Sequence, residues 1–494
     1  MVGEHRASQP SCKPVVDRRV DAMRRLIPLL TLSLSACSLT PPLLKPDAPV
    51  PAVFPMAAAA PASIPAADIG WRTMFPDARL QRLIAMALEN NRDLRLAALN
   101  VEAVQAQYRI QRAARLPGID ASGQATRQRA AANGQDATSQ STVVTEQIGV
   151  GLGLSAFEID LFGRIRSLSE AAFARYLATE EGRRAAQIAL VGAVADAYLA
   201  ERLALEQRDL AERTLADWQQ SLDLARLLRQ AQQNSGLEVA QAEGQVATAE
   251  ADLEARTRAL AQAQNALRLL AGADLPDDLP QGLPLDRQPV LTALPAGLPS
   301  DLLTRRPDIR QAEQSMVAAN ADIGAARAAF FPRISLTASL GYASPAMSGL
   351  FDSQNRVWSF SPQIVQPLFQ GGRLRAELRL AEVRKSSAVV EYERAIQTAF
   401  REVADGLSGQ QTFGRQIAAQ QRVVDSAERR SELSNLRYRA GVEGRLELLD
   451  AQRQLYAARQ TLLDLRRDAF GSAVALYKAL GGGLIEEATA SASQ

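Results

Sequence analysis

Histidine is almost missing from this chain: its 494 residues contain one, His5. The commonest general base and metal ligand at neutral pH is thereby withdrawn from the body of the protein. Cysteine is scarce as well. Cys12 and Cys37 form neither a disulfide framework nor a metal cluster, and neither signals a redox role. Aromatic residues make up only 5% of a chain rich in Ala, Leu, Gln and Arg, a composition that favours long helices over a compact mixed core. Neither sign of charge dominates: 56 basic residues face 54 acidic ones with no block of like charge, so no nucleic-acid partner is indicated. No apolar run reaches the roughly 18 residues of a transmembrane helix. Any span beyond a lipid anchor must be built from strands.

What is present is said twice. Asn91-Arg92-Asp93-Leu94-Arg95 returns as Arg306-Pro307-Asp308-Ile309-Arg310, and Leu116-Pro117 as Phe331-Pro332, both at an offset of 215. Val194-Ala195-Asp196-Ala197-Tyr198 returns as Val403-Ala404-Asp405-Gly406-Leu407, and Leu237-Glu238-Val239 as Leu446-Glu447-Leu448, at an offset of 209. Six residues are lost between Pro332 and Gly372. A repeat of this length points to two equivalent halves arranged about an axis.

Arg24-Arg25, the apolar run from Leu26 to Leu34 and Leu34-Ser35-Ala36-Cys37 have the order of an export signal ending in a lipobox, with Met23 as an alternative start. Residues 1–36 are expected to be an upstream extension and cleaved signal. Cys37 would then carry the lipid, and Ser38, which is not acidic, is compatible with sorting to the outer membrane. Residues 37–70 read as a lipidated Pro/Ala-rich arm, extended rather than packed, which holds the body off the lipid.

Repeat 1 covers 71–272 and repeat 2 covers 301–481. A Pro-rich linker, 273–300, separates them, and a flexible tail, 482–494, follows. Each repeat opens with a helix, about 77–115 and 300–330, that ends at a proline. A β-hairpin follows, about 118–162 and 333–369. Ile148, Val150, Leu152 and Leu154 alternate with Gly149, Gly151, Gly153 and Ser155, and Ile334, Leu336, Ala338, Leu340 and Tyr342 with Ser335, Thr337, Ser339 and Gly341. Period two gives each strand one apolar face and one small or polar face. The hairpin tips are polar, at 133–136 and 353–355. Strands of about ten residues suit the apolar band of an outer-membrane barrel.

Long helical hairpins complete each repeat, at 164–271 and 373–480. Their returning helices carry heptads, Val239, Val246, Leu253, Leu260 and Leu267, then Leu448, Leu455, Leu462, Ala469 and Leu476. Such a seam packs long helices side by side. Four strands cannot close a barrel in lipid, so the chain oligomerises or does not span.

At this point the motifs resemble a known group, the TolC-like outer membrane efflux proteins, and within it the lipoprotein branch serving resistance-nodulation-division pumps. The likeness is carried by Trp71-Arg72-Thr73-Met74-Phe75, Asp77, Leu80, Asp93-Leu94 and Leu161-Phe162-Gly163-Arg164. It continues through Leu303-Thr304-Arg305-Arg306-Pro307-Asp308-Ile309, Phe330-Phe331-Pro332-Arg333 and Pro367-Leu368-Phe369-Gln370-Gly371-Gly372-Arg373. The resemblance implies a mixed α+β membrane protein. Four strands per chain would make a twelve-stranded outer-membrane β-barrel in a homotrimer, continuous with a long α-helical periplasmic barrel. It also implies a periplasmic adaptor and an inner-membrane pump as partners, outer membrane lipid around the strands, and no cofactor.

The resemblance further places the lower aperture at the turns of the helical hairpins, 230–239 and 438–448. By its place in the tip motif Asp450 would present a carboxylate to the narrowed pore and Leu446 an apolar ring. Tyr438 would tie neighbouring helices together. Gly441 would be the helix-ending glycine of the second turn, and Gly236 is the glycine of the first. This chain departs from the pattern at that first turn, where Gln232 fills the slot of Gly441 and Arg229 that of Tyr438.

Other constellations read as structural. Glu158 and Asp160 lie on one strand face without a sugar cleft around them. Gly149, Gly151 and Gly153 precede no helix, which a dinucleotide loop requires. Arg305-Arg306 beside Asp308 reads as a helix-start ion-pair cluster. The leading expectation is a passive export conduit and not an enzyme; the alternative is a lipid-anchored periplasmic coiled-coil tether without a pore, which has no need of strand hairpins.

Overall fold

The computed structural model describes residues 39–54, 65–131, 142–295, 297 and 299–487. Cys37 and Ser38, and the first hairpin tip at 133–136, lie outside the described residues. Among these residues two compact units emerge, each assembled from separate stretches of chain: one within 39–42, 110–171 and 320–383, the other within 43–109, 172–319 and 384–487.

The duplication read from the sequence is a duplication of structure. In repeat 1, α1 (Ala78–Asn90) and α2 (Arg92–Ala113) lead to β1 (Ile119–Ala131), β2 (Thr142–Ile159), α3 (Arg164–Gln230) and α4 (Gly236–Ala271). In repeat 2, α5 (Pro299–Arg305) and α6 (Pro307–Ala328) lead to β3 (Arg333–Ser344), β4 (Arg356–Val365), α7 (Arg373–Arg439) and α8 (Arg445–Ala479). α3 and α7 are each 67 residues long, or about 100 Å.

The first unit is built on one antiparallel sheet in the order β1-β2-β3-β4, so the two hairpins join through β2 and β3. Its register sorts the side chains by face. Ala121, Leu152, Leu340 and Trp358 form one rung, and Ile119, Leu154, Ala338 and Phe360 the next on the same face. The opposite face holds Asp120, Gly153, Ser339 and Ser359, with Ser339 and Ser359 hydrogen-bonded at 2.7 Å. Gly151 and Gly341 are paired on that face, and a Cβ on Gly151 would lie 2.9 Å from the Leu340 carbonyl oxygen. The apolar rungs are uncovered: every residue of β4 is exposed, Trp358 by 75%.

Three strands are longer than the ten residues expected, and β4 has ten; β2 runs for 18. A bulge lets it do so. The register slips between Leu154 and Phe157, where Ala156 adopts φ 47° and its N–H donates to Thr337 Oγ1 at 3.2 Å.

The second unit carries the main core. Trp71, Phe75, Leu80, Leu83, Tyr198, Leu267 and Tyr477 are buried in one cluster drawn from both repeats. Asp77 organises it: Oδ1 caps α1 by accepting from the N–H groups of Arg79 and Leu80, while Oδ2 accepts from the Tyr198 hydroxyl at 2.6 Å and from Gln288 at 3.1 Å. Gln288 brings in the inter-repeat linker, where Leu285 is also buried and its N–H donates to Glu206. Burial pushes the Tyr198 hydroxyl and the Glu206 carboxyl above their usual ranges. Toward the hairpin tips the interior thins to two small clusters, around Trp218, Ala242 and Val246 and around Val424, Ala458 and Leu462.

Three expectations need correction. The opening helix of each repeat is two helices, broken at Asn91 and at Arg306. Asn91 leaves the helical region at ψ 130° and caps α2 with its side chain, accepting from the N–H groups of Asp93 and Leu94. Arg306 precedes a proline, whose ring excludes it from helical geometry.

The described stretches of the arm, though irregular, are packed. In the first unit Asn320 Nδ2 donates to the Pro41 carbonyl at 2.8 Å. In the second, Lys45 pairs with Glu313, which holds the ammonium above its usual range, and Phe54 stacks on Phe400 at 5.0 Å. Finally, the tail is not loose where it begins: the N–H groups of Trp71 and Arg72 donate to the carbonyls of Ile485 and Glu486.

Among the described residues no helix is long and apolar enough to cross a membrane, and no group of His, Cys, Asp and Glu could hold a metal ion.

Candidate functional site at the helix tips

The two helical hairpins turn by the same device. At the first tip the N–H of Gln233 donates to the Leu228 carbonyl and that of Gln232 to Arg229, at 2.9 and 3.0 Å. At the second, Val442 donates to Arg437 and Gly441 to Tyr438, both at 3.0 Å. These are paired Schellman closures, which require a left-handed residue, here Gln232 at φ 58° and Gly441 at φ 68°. Glutamine pays about 1 kcal/mol for that conformation and glycine does not. The first tip has a compensation: Ser235 caps α4 by accepting from the Glu238 N–H, whereas Gly444 gives α8 no side-chain cap. Gly236 opens α4 and takes no part in the left-handed turn.

Asp450, one turn and a residue into α8, is held inside its own hairpin. Arg430 of α7 reaches across to Glu447 at 2.5 Å and to Asp450 at 2.8 Å, and Gln454 joins both Arg430 and Asp450. The Glu447 hydrogen bond and then that of Asp450 raise the guanidinium further above its already high range. The cluster is half-exposed, so solvent screens it and it can be taken apart at little cost.

Tyr438 reaches the other hairpin. Its hydroxyl lies 3.5 Å from Glu238 Oε2 of α4, and the Arg445 guanidinium sits 5.7 Å over its ring. Arg445 is itself buried and donates to both the carbonyl and the hydroxyl of Ser221 on α3 at 3.2 Å. Leu446, beside it, is 69% exposed. A polar cleft of about 500 Å³ flanks this tip, with Asp217, Ser221, Glu432, Tyr438 and Gln452 on its walls.

The second tip therefore carries Tyr438, Gly441, Leu446 and Asp450, with Gly236 on the first, but Tyr438 and Asp450 have separate partners. Arg430, Arg445 and Glu447 escaped the sequence reading. The signal for the two arginines was a mismatch between the repeats, Arg430 standing where repeat 1 has Ser221 and Arg445 where it has Gly236, whereas Glu447 matches Glu238. Repeat 2 has gained two cations at its tip.

The other charged motifs are structural. Arg164 forks onto Glu158 at 2.8 and 2.5 Å, and Asp160 accepts from the Arg166 N–H at the start of α3. Arg306 forks onto Asp308 and also binds Glu402 and the Ala479 carbonyl, while Arg305 pairs with Asp68.

Comparison with known proteins gives concordant results. The model of the family described as "Outer membrane efflux protein" matches residues 83–273 and again 298–482, one match to each repeat. The solvent efflux pump outer membrane protein SrpC of Pseudomonas putida is 48% identical over 457 residues, 92% of this chain and 96% of its own. Outer membrane protein OprJ of Pseudomonas aeruginosa is 45% identical over 92% of this chain and 95% of its own. Among solved structures, the open state of the MtrE outer membrane channel of Neisseria gonorrhoeae superposes with a TM-score of 0.83 at 40% identity, over 92% of this chain and all of that one.

Proposed function

This chain belongs to the outer membrane efflux protein family and is the outer membrane channel component of a tripartite efflux system, and from that premise we propose that three copies form one passive conduit gated at the second helical tip. The observation that carries the trimer is the sheet. It has one apolar and one small or polar face, with its apolar rungs uncovered. Its edges are β1 and β4. In lipid an open edge leaves backbone groups without partners, and four strands are too few to close. Three copies joined edge to edge supply twelve. Lipid then covers the apolar rungs, and the serine and glycine face lines the pore.

We assign the lipid anchor to Cys37, with Ser38 compatible with outer-membrane sorting; close by in sequence, the Leu39 carbonyl accepts from Arg327 at 3.4 Å. At the other end, the half-exposed Arg430–Glu447–Asp450 cluster supports a gate, because charges so weakly held can exchange partners when an adaptor binds. The polar cleft beside Tyr438 is the surface we assign to the periplasmic adaptor, with an inner-membrane pump of the resistance-nodulation-division class behind it. The chain does no chemistry of its own. SrpC is named for solvent efflux, and small organic molecules are the cargo proposed here. A pore-free tether would have no use for the two-faced sheet.

Native mass spectrometry of the lipidated protein tests the assembly. A mass of three chains is expected; a monomer in a membrane-like detergent would contradict it.

A further inference from the structure

The apolar face of the sheet changes character at one end. Along β3 it carries Ile334, Leu336, Ala338, Leu340 and Tyr342, and ten residues separate the rung of Ile334 from that of Ser344 and Ile148. Ten residues of strand measure about 33 Å, or about 25 Å of height at the usual tilt, which is the depth of an outer-membrane barrel's apolar band. Among the described residues no charged side chain belongs to this face where the strands run into α3 and α7. At the hairpin end four do: Arg127 and Arg129 on β1, Glu146 on β2 and Arg356 on β4. The first three lie beyond the Ile148 rung. Arg356 shares the rung of Tyr342 but is the first residue of β4, and its side chain is long enough to bring the charge to the same interface.

Three cations thus stand against one carboxylate. Arg127 pairs with Glu146 at 2.8 Å, yet their side chains are 77% and 47% exposed, so the pair is weak and the guanidinium stays accessible. Arg356 is exposed and pairs with no carboxylate among the described residues. The arginines also stand on the two edges of the sheet, β1 and β4. Copies joined edge to edge set the β1 of one against the β4 of the next, so every seam gathers cations from both.

We propose that each seam of the trimer binds a phosphomonoester-bearing lipid of the outer leaflet, its acyl chains on the apolar rungs and its phosphate between Arg127 and Arg129 of one copy and Arg356 of the partner subunit. The helices stand in the periplasm, so the hairpin end of the sheet meets the outer leaflet. A phosphomonoester carries about −1.5 to −2 charges and three acceptor oxygens near neutral pH, enough for more than one guanidinium fork. A zwitterionic headgroup adds an ammonium that the arginines repel. The site rests on the trimeric reading, because one copy holds only part of it.

Native mass spectrometry of the full-length protein in nonionic detergent, titrated with diphosphoryl lipid A or with phosphatidylethanolamine, reads assembly and lipid together. Up to three lipid A adducts per trimer are expected, at least tenfold tighter than phosphatidylethanolamine and resistant to a hundredfold excess of inorganic phosphate. Arg127→Gln and Arg356→Gln should each weaken lipid A binding by about tenfold, the effect of one charge-assisted hydrogen bond, whereas Arg95→Gln, an exposed cation of α2, should leave it unchanged. A trimer that binds the two lipids equally, that loses lipid A to inorganic phosphate, or that binds it undiminished in both sheet variants would overturn the site and leave the assembly standing. A monomer would overturn the assembly and the seam with it. The comparison of lipids on the native protein holds even if a variant fails to fold.

Discussion

Gln232 and Gly441 stand 209 positions apart and hold the same left-handed backbone, φ 58° and 68°, inside the same pair of hydrogen bonds. Only the glycine holds it without steric cost. Gln232→Gly should therefore slow hydrogen exchange at the Gln233 amide by up to about fivefold, the equivalent of ~1 kcal/mol. Gly441→Ala should accelerate exchange at Val442 by a similar factor. Identical exchange in both variants and the native protein would remove backbone strain from the comparison of the two tips.

Phe54 is buried against Phe400, and that stack is an apolar attachment of the arm's stretch 43–54 in its unit. Truncation to alanine in Phe54→Ala should cost about 3 kcal/mol of local docking. Thermolysin nicking within residues 39–54 should rise by roughly a hundredfold, with the helices still resistant. Unchanged nicking would mean that Lys45 and Pro41 suffice.

Tyr456 sits against Asp252, and burial first, then the carboxylate, push its hydroxyl up to about 12. The folded protein thus keeps a proton that the unfolded chain loses near pH 10. The contribution of Tyr456 to stability is complete below pH 10 and is lost as pH rises from there through about 12. The stability difference between native protein and Tyr456→Phe should be flat up to pH 10 and shrink above it. A difference that stays flat to pH 12 would place Tyr456 in water.

Much of this architecture could be read before any coordinates. The offset of 209 placed both helical hairpins, because a heptad seam is a property of sequence spacing alone. Alternation gave the strand faces for the same reason. What escaped were the choices made by tertiary partners. Asn91 and Arg306 occupy one slot in the two repeats and do one job with different chemistry: Asn91 Nδ2 donates to the Leu270 carbonyl and Arg306 Nη1 to that of Ala479, both at 3.0 Å. Each breaks a helix that local periodicity would have continued, and each needs an acceptor more than 170 residues away. At the candidate gate the motif pointed to Asp450 but not to the cation that holds it, since nothing in α8 says which arginine of α7 lies opposite.

Arg430 bonds both Glu447 and Asp450, and two substitutions separate its role from theirs. Planar-bilayer recordings of the purified, lipidated protein are the direct measurement. The native protein should show small, cation-selective steps. Asp450→Ala and Arg430→Ala should each raise conductance several-fold by dismantling the cluster, but in opposite electrical senses: the first loses a carboxylate and should weaken cation preference, while the second frees two carboxylates and should strengthen it. Unchanged conductance and selectivity in both variants would contradict a gate at this tip, and a membrane that stays silent for all three proteins after confirmed insertion would contradict the conduit itself.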